Sequence, residues 1–155
     1  FFREYGWIKK NVGVSEGYNK RLDELHAGIL NVKLDKLNAF NNKRILIANN
    51  FIKLIKSKKI LLPNKNMVKK HVFHLFVIRI KNNLRSKFIS YLKKNGVSPG
   101  IHYPIPNHKQ KPFKKYSLHK LPVTEKISNE IVSIPNFPLL KSKEFNKIVR
   151  LINEF

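Results

Sequence analysis

The feature that most constrains the fold is a long stretch, residues 20–57, that contains no proline and has Gly28 as its only glycine. Apolar residues recur along it at helical spacing, at Leu22, Leu25, Ile29, Val32, Leu37, Phe40, Ile47, Phe51 and Leu54. An amphipathic pattern of this length without a helix breaker favours one long helix. We therefore predict a helix over residues 19–57, with Asn19 as its N-cap.

The predicted N-terminus of this helix is rich in hydrogen-bond donors. The first turn of a helix leaves backbone N–H groups without partners, which makes it a favourable place for an anion such as phosphate. Asn19 and Arg21 would add an amide and a guanidinium there. From spacing alone, an ordinary cap at Asn19 and a solvated charge at Arg21 are the alternative interpretation.

Downstream of residue 57, β-rich runs alternate with helical patterns. The predicted elements are a strand at 71–80, a helix at 84–95 ended by Gly96, a short strand at 97–103, a helix at 123–132, and a helix at 143–154 capped by Ser142. This alternation predicts an α/β module of two to four strands with helices on at least one face. We divide the chain into a tail of an upstream domain (1–18), the long helix (19–57) and a C-terminal α/β small domain (58–155).

The charge of the chain, +23 at neutral pH, raises the question of nucleic-acid binding. Lysine outnumbers arginine 26 to 6 and is spread along the whole chain. Bidentate recognition of phosphates and bases favours arginine, and we find no helix-turn-helix spacing and no zinc pattern. We therefore predict no nucleic-acid partner and interpret the charge as surface composition. The alternative is a positive field that steers nucleotide-bearing substrates toward the protein.

Composition also limits the compartment and the kind of site. Cysteine is absent, which excludes disulfides and cysteine-ligated metals. No signal peptide and no bilayer-length apolar run are found, so we predict a cytoplasmic protein without a membrane partner and without a metal site. The chain begins with Phe1 and its only methionine is Met67, so we expect the natural N-terminus to lie upstream.

Three segments in the same order resemble one enzyme family. They are GYNKRLDELHAGILNVKL at 17–34, HVFHLFVIRI at 71–80 followed by GIHYPIPNHKQKPF at 100–113, and LPVTEKISNEIVSIPNFPLL at 121–140. Together they resemble the DegT/StrS-type sugar-nucleotide aminotransferases, which are pyridoxal-phosphate (PLP) enzymes of fold type I. The chain departs from the family pattern at His26 and Gly28. The resemblance implies an α/β fold, the C-terminal small domain of a fold type I transferase, joined to a long interdomain helix.

The resemblance also assigns roles to several residues. It implies that Asn19 reaches across a homodimer interface to the cofactor phosphate of the other subunit, with Arg21 adding positive charge nearby. It places His102 and Tyr103 at the active-site rim, in contact with the sugar nucleotide, and Lys10 near its diphosphate. For His102 and Tyr103, a packing corner before a proline is the alternative. His71 and His74 are interpreted as structural, and His108 as part of a solvated loop.

The function implied is transfer of an amino group, with glutamate as donor, to a nucleotide-linked keto-sugar in amino-sugar or polysaccharide biosynthesis. Such enzymes need a lysine that holds the cofactor and a carboxylate on its ring nitrogen. In the family both lie upstream of the region matched here, so we assign no catalytic residue and expect the chain to be inactive alone. The alternatives are a sugar-nucleotide dehydratase of the same family, in which histidine replaces that lysine, and a basic nucleic-acid-binding module.

Overall fold

The computed structural model describes residues 7–9, 12–18, 20, 22–64 and 71–155. These fall into two compact units that divide between Asn38 and Ala39. In the first unit, β1 (Trp7–Lys9) pairs antiparallel with β2 (Val12–Gly13), and α1 (Glu24–Leu34) follows. A second helix, α2 (Leu37–Leu54), continues the chain and belongs to the second unit from Ala39 onward.

The prediction of one continuous helix over residues 19–57 is wrong in two respects. The helical ladder is interrupted at Asp35 and Lys36, where the Lys36 N–H donates to the Lys33 carbonyl in a tighter, three-residue turn. The N-cap is Asp23 instead of Asn19, because the Asp23 carboxylate accepts the His26 backbone N–H at 2.8 Å. That hydrogen bond, followed by one with the His26 ring, lowers the pKa of Asp23.

The helix α1 has no core-facing side in the structure. All 11 of its residues are described, and none is buried. The exposed side chains include the large apolar ones that the periodicity singled out, Leu25, Ile29 and Val32. Helix propensity and capping, rather than packing, therefore decide how stable α1 is by itself.

Changing Gly28 to alanine should stabilise α1. A methyl group at this position would meet nothing within 4 Å, so the change carries no steric cost. Glycine inside a helix is about 1 kcal/mol less favourable than alanine. In a synthetic peptide spanning residues 20–36, circular dichroism should show higher helix content for Gly28→Ala than for the natural sequence. The Asp23→Ala peptide, which lacks the cap, should show lower content. Equal helicity of all three peptides would contradict both assignments.

The second unit is built on a three-stranded antiparallel sheet in the order β3–β4–β5. Its strands are β3 (Ile60–Leu61), β4 (Phe76–Ile80) and β5 (Ile131–Ile134). Its helices after α2 are α3 (Arg85–Lys94), α4 (Pro122–Glu130) and α5 (Ser142–Glu154). Two 3-10 segments, Asn107–Lys109 and Lys111–Tyr116, lie between α3 and α4. Within the described ranges, no helix is long and apolar enough to cross a membrane.

One face of the central strand forms the core of this unit. Phe76, Ile78 and Ile80 of β4 are fully buried, and the residues between them are half-buried. Buried side chains of α2, α3 and α5 complete the same cluster: Phe51, Ile52, Phe88, Leu92, Ile148, Leu151 and Ile152. Because α2 supplies part of this core, its second half belongs structurally to the α/β unit. The three-part division of the chain at residues 18 and 57 stays a prediction.

The strand predicted at 71–80 begins only at Phe76, because the backbone turns before it. Phe73 adopts a left-handed conformation with φ 51°. Its N–H donates to His71 Nδ1 at 2.8 Å, and its carbonyl accepts a hydrogen bond from Asn136 Nδ2 at 2.9 Å. These two contacts hold the turn on both sides. His71 therefore stabilises a turn, whereas an extended strand was predicted there.

Three further predictions need correction. Residues 97–103 do not form a regular strand and make one isolated bridge, from Gly100 to Ser133. The helix predicted at 123–132 ends at Glu130, and β5 follows it directly. Ser142 lies inside α5, where Glu144 accepts the Lys141 N–H at 3.0 Å. By contrast, α3 ends as predicted, with Gly96 at φ 73°.

Candidate functional site

The residues predicted to form the site divide into two groups. Lys10, Asn19 and Arg21 lie outside the described residues, and their roles stay predictions. Between the last two, the Lys20 ammonium lies 5.0 Å from the centre of the Tyr18 ring. His102 and Tyr103 are described, and the rest of the candidate site is built around them.

His102 is anchored to strand β5. The bridge just before it holds the backbone, since Gly100 N–H donates to Ser133 O at 2.9 Å and Ser133 N–H donates to Gly100 O at 2.8 Å. The imidazole Nδ1 then lies 3.0 Å from the buried Ser133 hydroxyl. A Cβ on Gly100 would lie only 2.9 Å from His102 Cε1. The glycine therefore leaves the space that the imidazole occupies.

Tyr103 stands at the rim of a groove. Its side chain is 74% exposed, and its ring lies edge-to-face with that of His102 at 6.3 Å between centroids. The groove, about 530 Å³ in volume, separates the segment after Tyr103 from helix α4. Besides Tyr103, its lining includes the polar residues Asn107, Thr124 and Ser128 and the apolar residues Ile105 and Leu121. An aromatic ring, an amide and hydroxyls in one groove suit a polar organic ligand.

One of the groove-lining residues, His108, pairs with Glu125. His108 is only 8% exposed, and its Nε2 lies 3.0 Å from Glu125 Oε1. The same oxygen accepts the Leu121 N–H at 3.3 Å and lies 3.7 Å from the Lys109 ammonium. The hydrogen bond from His108, then that from Leu121, lowers the pKa of Glu125. The carboxylate is therefore kept charged, with its Oε1 already engaged.

The interpretation of His108 as part of a solvated loop is wrong. One sequence signal pointed the other way: Glu125 is the first acidic residue after Asp35, in an otherwise basic stretch. Basic side chains are the available partners of a carboxylate in such a stretch. In the structure, the buried histidine 17 positions upstream is its hydrogen-bond partner.

The charged side chains around the groove indicate what kind of ligand it suits. In the part of the chain that the structure describes, no group of three or more His, Asp or Glu side chains is placed to hold a metal ion. Several lysines follow His108 in the same loop: Lys109, Lys111, Lys115 and Lys120. Cations in a loop that lines a groove favour a negatively charged ligand.

A comparison with protein-family models decides the family. The DegT/DnrJ/EryC1/StrS aminotransferase family model matches residues 1–153. The chain belongs to this family. The resemblance carried by the three segments at 17–34, 71–113 and 121–140 is thereby confirmed.

Individual relatives agree with the DegT/DnrJ/EryC1/StrS assignment. The dTDP-3-amino-3,6-dideoxy-alpha-D-galactopyranose transaminase of Aneurinibacillus thermoaerophilus is 40% identical over 153 residues, which cover 99% of this chain and 42% of that protein. The crystal structure of DesV from S. venezuelae superposes with a TM-score of 0.89 at 27% identity, covering 99% of this chain and 42% of that one. NtdA from Bacillus subtilis, solved with bound cofactor PMP, gives 0.89 at 28% identity, covering 99% and 37%.

These comparisons fix the fold and the extent of the match. The architecture is that of a fold type I aminotransferase, as the resemblance implied. The chain spans about two fifths of the length of the relatives it matches. His102, Tyr103 and the groove therefore lie in the part of a DegT/DnrJ/EryC1/StrS protein that this chain covers. The activity of the whole protein is a matter for proposal.

Proposed function

We propose that the chain is the C-terminal part of a PLP-dependent aminotransferase that moves an amino group from glutamate to a nucleotide-linked keto-sugar. The observation that carries this proposal is the family match over residues 1–153. The proposed enzyme is a cytoplasmic homodimer in which each active site takes residues from both subunits. Its product, an amino sugar on a nucleotide, would serve polysaccharide biosynthesis.

The residues near α1 suit the phosphate of PLP by their chemistry. Asn19, Lys20 and Arg21 offer an amide, an ammonium and a guanidinium at three successive positions, which together match a phosphate dianion. The helix N-terminus itself contributes less than the sequence indicated, because α1 begins at Glu24 and the Asp23 carboxylate already accepts one of its free N–H groups. The side chains therefore supply most of the attraction for the phosphate.

PLP, when bound, would supply the electron-withdrawing ring and carry the amino group between the two half-reactions. The lysine that holds it and moves the proton would lie upstream of residue 1. In this chain, Asn19 and Arg21 would bind the cofactor phosphate, and Lys10 would face the nucleotide diphosphate. His102 and Tyr103 would orient the sugar nucleotide at the rim of the groove.

Replacing His102 or Tyr103 by alanine in the full-length enzyme should impair only the keto-sugar half-reaction. Both side chains are suited to hydrogen bonding and stacking on the sugar nucleotide, and we assign neither a role in binding glutamate. Loss of one hydrogen bond to a charged group, worth about 1.5–3 kcal/mol, should lower kcat/KM for the sugar nucleotide by roughly 10- to 150-fold.

Single-turnover absorbance measurements separate the two halves: glutamate first loads the cofactor, and the keto-sugar then unloads it. Leu118→Ala is the matched control, because Leu118 is in the same loop and 91% exposed. Equal damage to both halves would mean that His102 and Tyr103 support the whole site. Damage to neither would make Tyr103-Pro104 a packing corner.

The overall activity is tested by incubating the full-length protein with glutamate and nucleotide-linked keto-sugars. Formation of 2-oxoglutarate together with an amino-sugar nucleotide would support the proposal. Loss of a sugar hydroxyl without consumption of glutamate would instead favour the dehydratase alternative. If the protein is such a dehydratase, we expect histidine at the upstream position where an aminotransferase has its lysine. The nucleic-acid-binding alternative predicts duplex-DNA affinity that falls steeply with salt.

A further inference from the structure

The segment that carries Tyr103 is long and has little regular structure. Residues 101–121 contain two 3-10 segments and no strand. Several polar contacts of its side chains stay inside it, such as Lys109 Nζ to Ser117 O at 3.0 Å and Gln110 Nε2 to Ile105 O at 3.2 Å. Contacts inside the segment do not fix its position in the molecule. Contacts with other elements must therefore do so.

Among the described residues, two side chains of this segment form hydrogen bonds with other elements. His102 contacts Ser133 of β5, and His108 contacts Glu125 of α4. The two contacts lie on either side of Tyr103 and of the first residues of the groove wall. His108 is the better protected of the two, because its side chain is buried whereas His102 is exposed.

In the second of these contacts, one carboxylate oxygen of Glu125 has three basic or N–H partners. Glu125 Oε1 accepts hydrogen bonds from the His108 ring and the Leu121 backbone N–H, and it forms an ion pair with the Lys109 ammonium. These donors come from both ends of the segment, since His108 and Lys109 lie near its start and Leu121 at its finish. One carboxylate on α4 therefore closes the segment into a loop beside the groove.

We infer that His108 and Glu125 form a positioning pair that holds the Tyr103 wall of the groove at a fixed distance from α4, and so sets the affinity for the nucleotide-linked sugar. This inference rests on the proposed function. Neither residue needs to contact the reacting atoms. The pair acts through the loop, because the groove is lined by both the loop and α4, and the His108–Glu125 contact joins these two elements.

A second ion pair on α4 provides the matched control. Arg79 Nε and Nη2 donate to Glu130 Oε2 at 2.9 and 2.7 Å, which ties α4 to β4. Arg79 and Glu130 do not line the groove, whereas His108 of the first pair does, although both pairs involve the same helix. A purely structural role for Glu125 would make Glu125→Ala and Glu130→Ala behave alike.

The test uses the full-length holoenzyme with the variants His108→Ala, Glu125→Ala, Glu125→Gln and Glu130→Ala. We expect His108→Ala and Glu125→Ala to raise KM for the sugar nucleotide about tenfold, with the glutamate half-reaction unchanged. The double variant His108→Ala/Glu125→Ala should be no worse than Glu125→Ala alone, because that single change already removes the His108 contact. Glu125→Gln keeps an acceptor and should be intermediate. Glu130→Ala should lower the Tm without changing KM.

Hydrogen exchange of the amides of residues 102–110 gives a readout that needs no activity. It should be faster in His108→Ala and Glu125→Ala and unchanged in Glu130→Ala. If KM and loop exchange in the two variants match those of Glu130→Ala, the positioning role is wrong. If the wild-type enzyme does not transaminate any nucleotide-linked keto-sugar, the proposed function fails. Loop exchange then decides separately whether the pair fixes the groove.

Discussion

Replacing Phe51 by alanine should destabilise the unit Ala39–Phe155 by about 3–5 kcal/mol, the usual cost of emptying a buried phenylalanine site. Phe51 is fully buried. Its ring centre lies 5.2 Å from that of Phe76 in β4 and 4.6 Å from that of Phe145 in α5. One side chain of α2 thus joins the sheet to the last helix. Domains of this size are stable by about 5–15 kcal/mol, so the change removes a large share.

Urea denaturation followed by circular dichroism measures this loss. Leu46→Ala is the matched control, because Leu46 lies in the same helix but is 61% exposed. Its effect should stay within about 0.5 kcal/mol, as is usual for surface positions. If the two variants unfolded at the same urea concentration, α2 would not contribute to the core as the structure indicates. The predicted interdomain role of its second half would then gain support over its role in the α/β unit.

The elements that were best predicted from the sequence are those whose boundaries depend on local signals. Helix α3 ends at a glycine that adopts a positive φ, and such a C-terminus is readable from Gly96 alone. The break between α1 and α2 carries no such signal, because neither glycine nor proline lies at Asp35 and Lys36. Strand β5 was missed for a related reason: the helical spacing of α4 runs into Ile131 without a turn residue that would mark the change.

The site shows the same contrast between local and distant information. His102 and Tyr103 were predicted from a motif that is contiguous in sequence, and their role stays a prediction. The His108–Glu125 contact joins residues 17 positions apart, and it forms only because the intervening segment folds back onto α4. No periodicity predicts the path of an irregular segment. A buried histidine therefore looked like a solvated one until its partner was located.

The second large effect is expected at Asn19, whose assigned role depends on the family resemblance. In the full-length enzyme, Asn19→Ala should weaken the binding of PLP roughly 10- to 150-fold, because one charge-assisted hydrogen bond to the phosphate is worth about 1.5–3 kcal/mol. The fold should be intact, since α1 is capped by Asp23 and not by Asn19. Titration of the apoenzyme with PLP measures the affinity, and circular dichroism measures the fold.

Mixed dimers test whether Asn19 serves the neighbouring subunit. In the first pairing, an Asn19→Ala subunit with its upstream lysine intact joins a lysine-less subunit with Asn19 intact. A cross-subunit contact then leaves one complete site, and about half of the wild-type activity should remain. In the second pairing, wild type joins a subunit that carries both changes, and no complete site is left. If Asn19 instead serves its own subunit, the two outcomes reverse. Equal activities in the two pairings would mean that Asn19 does not bind the phosphate. Without such a contact, the activity would not depend on which subunit carries Asn19→Ala.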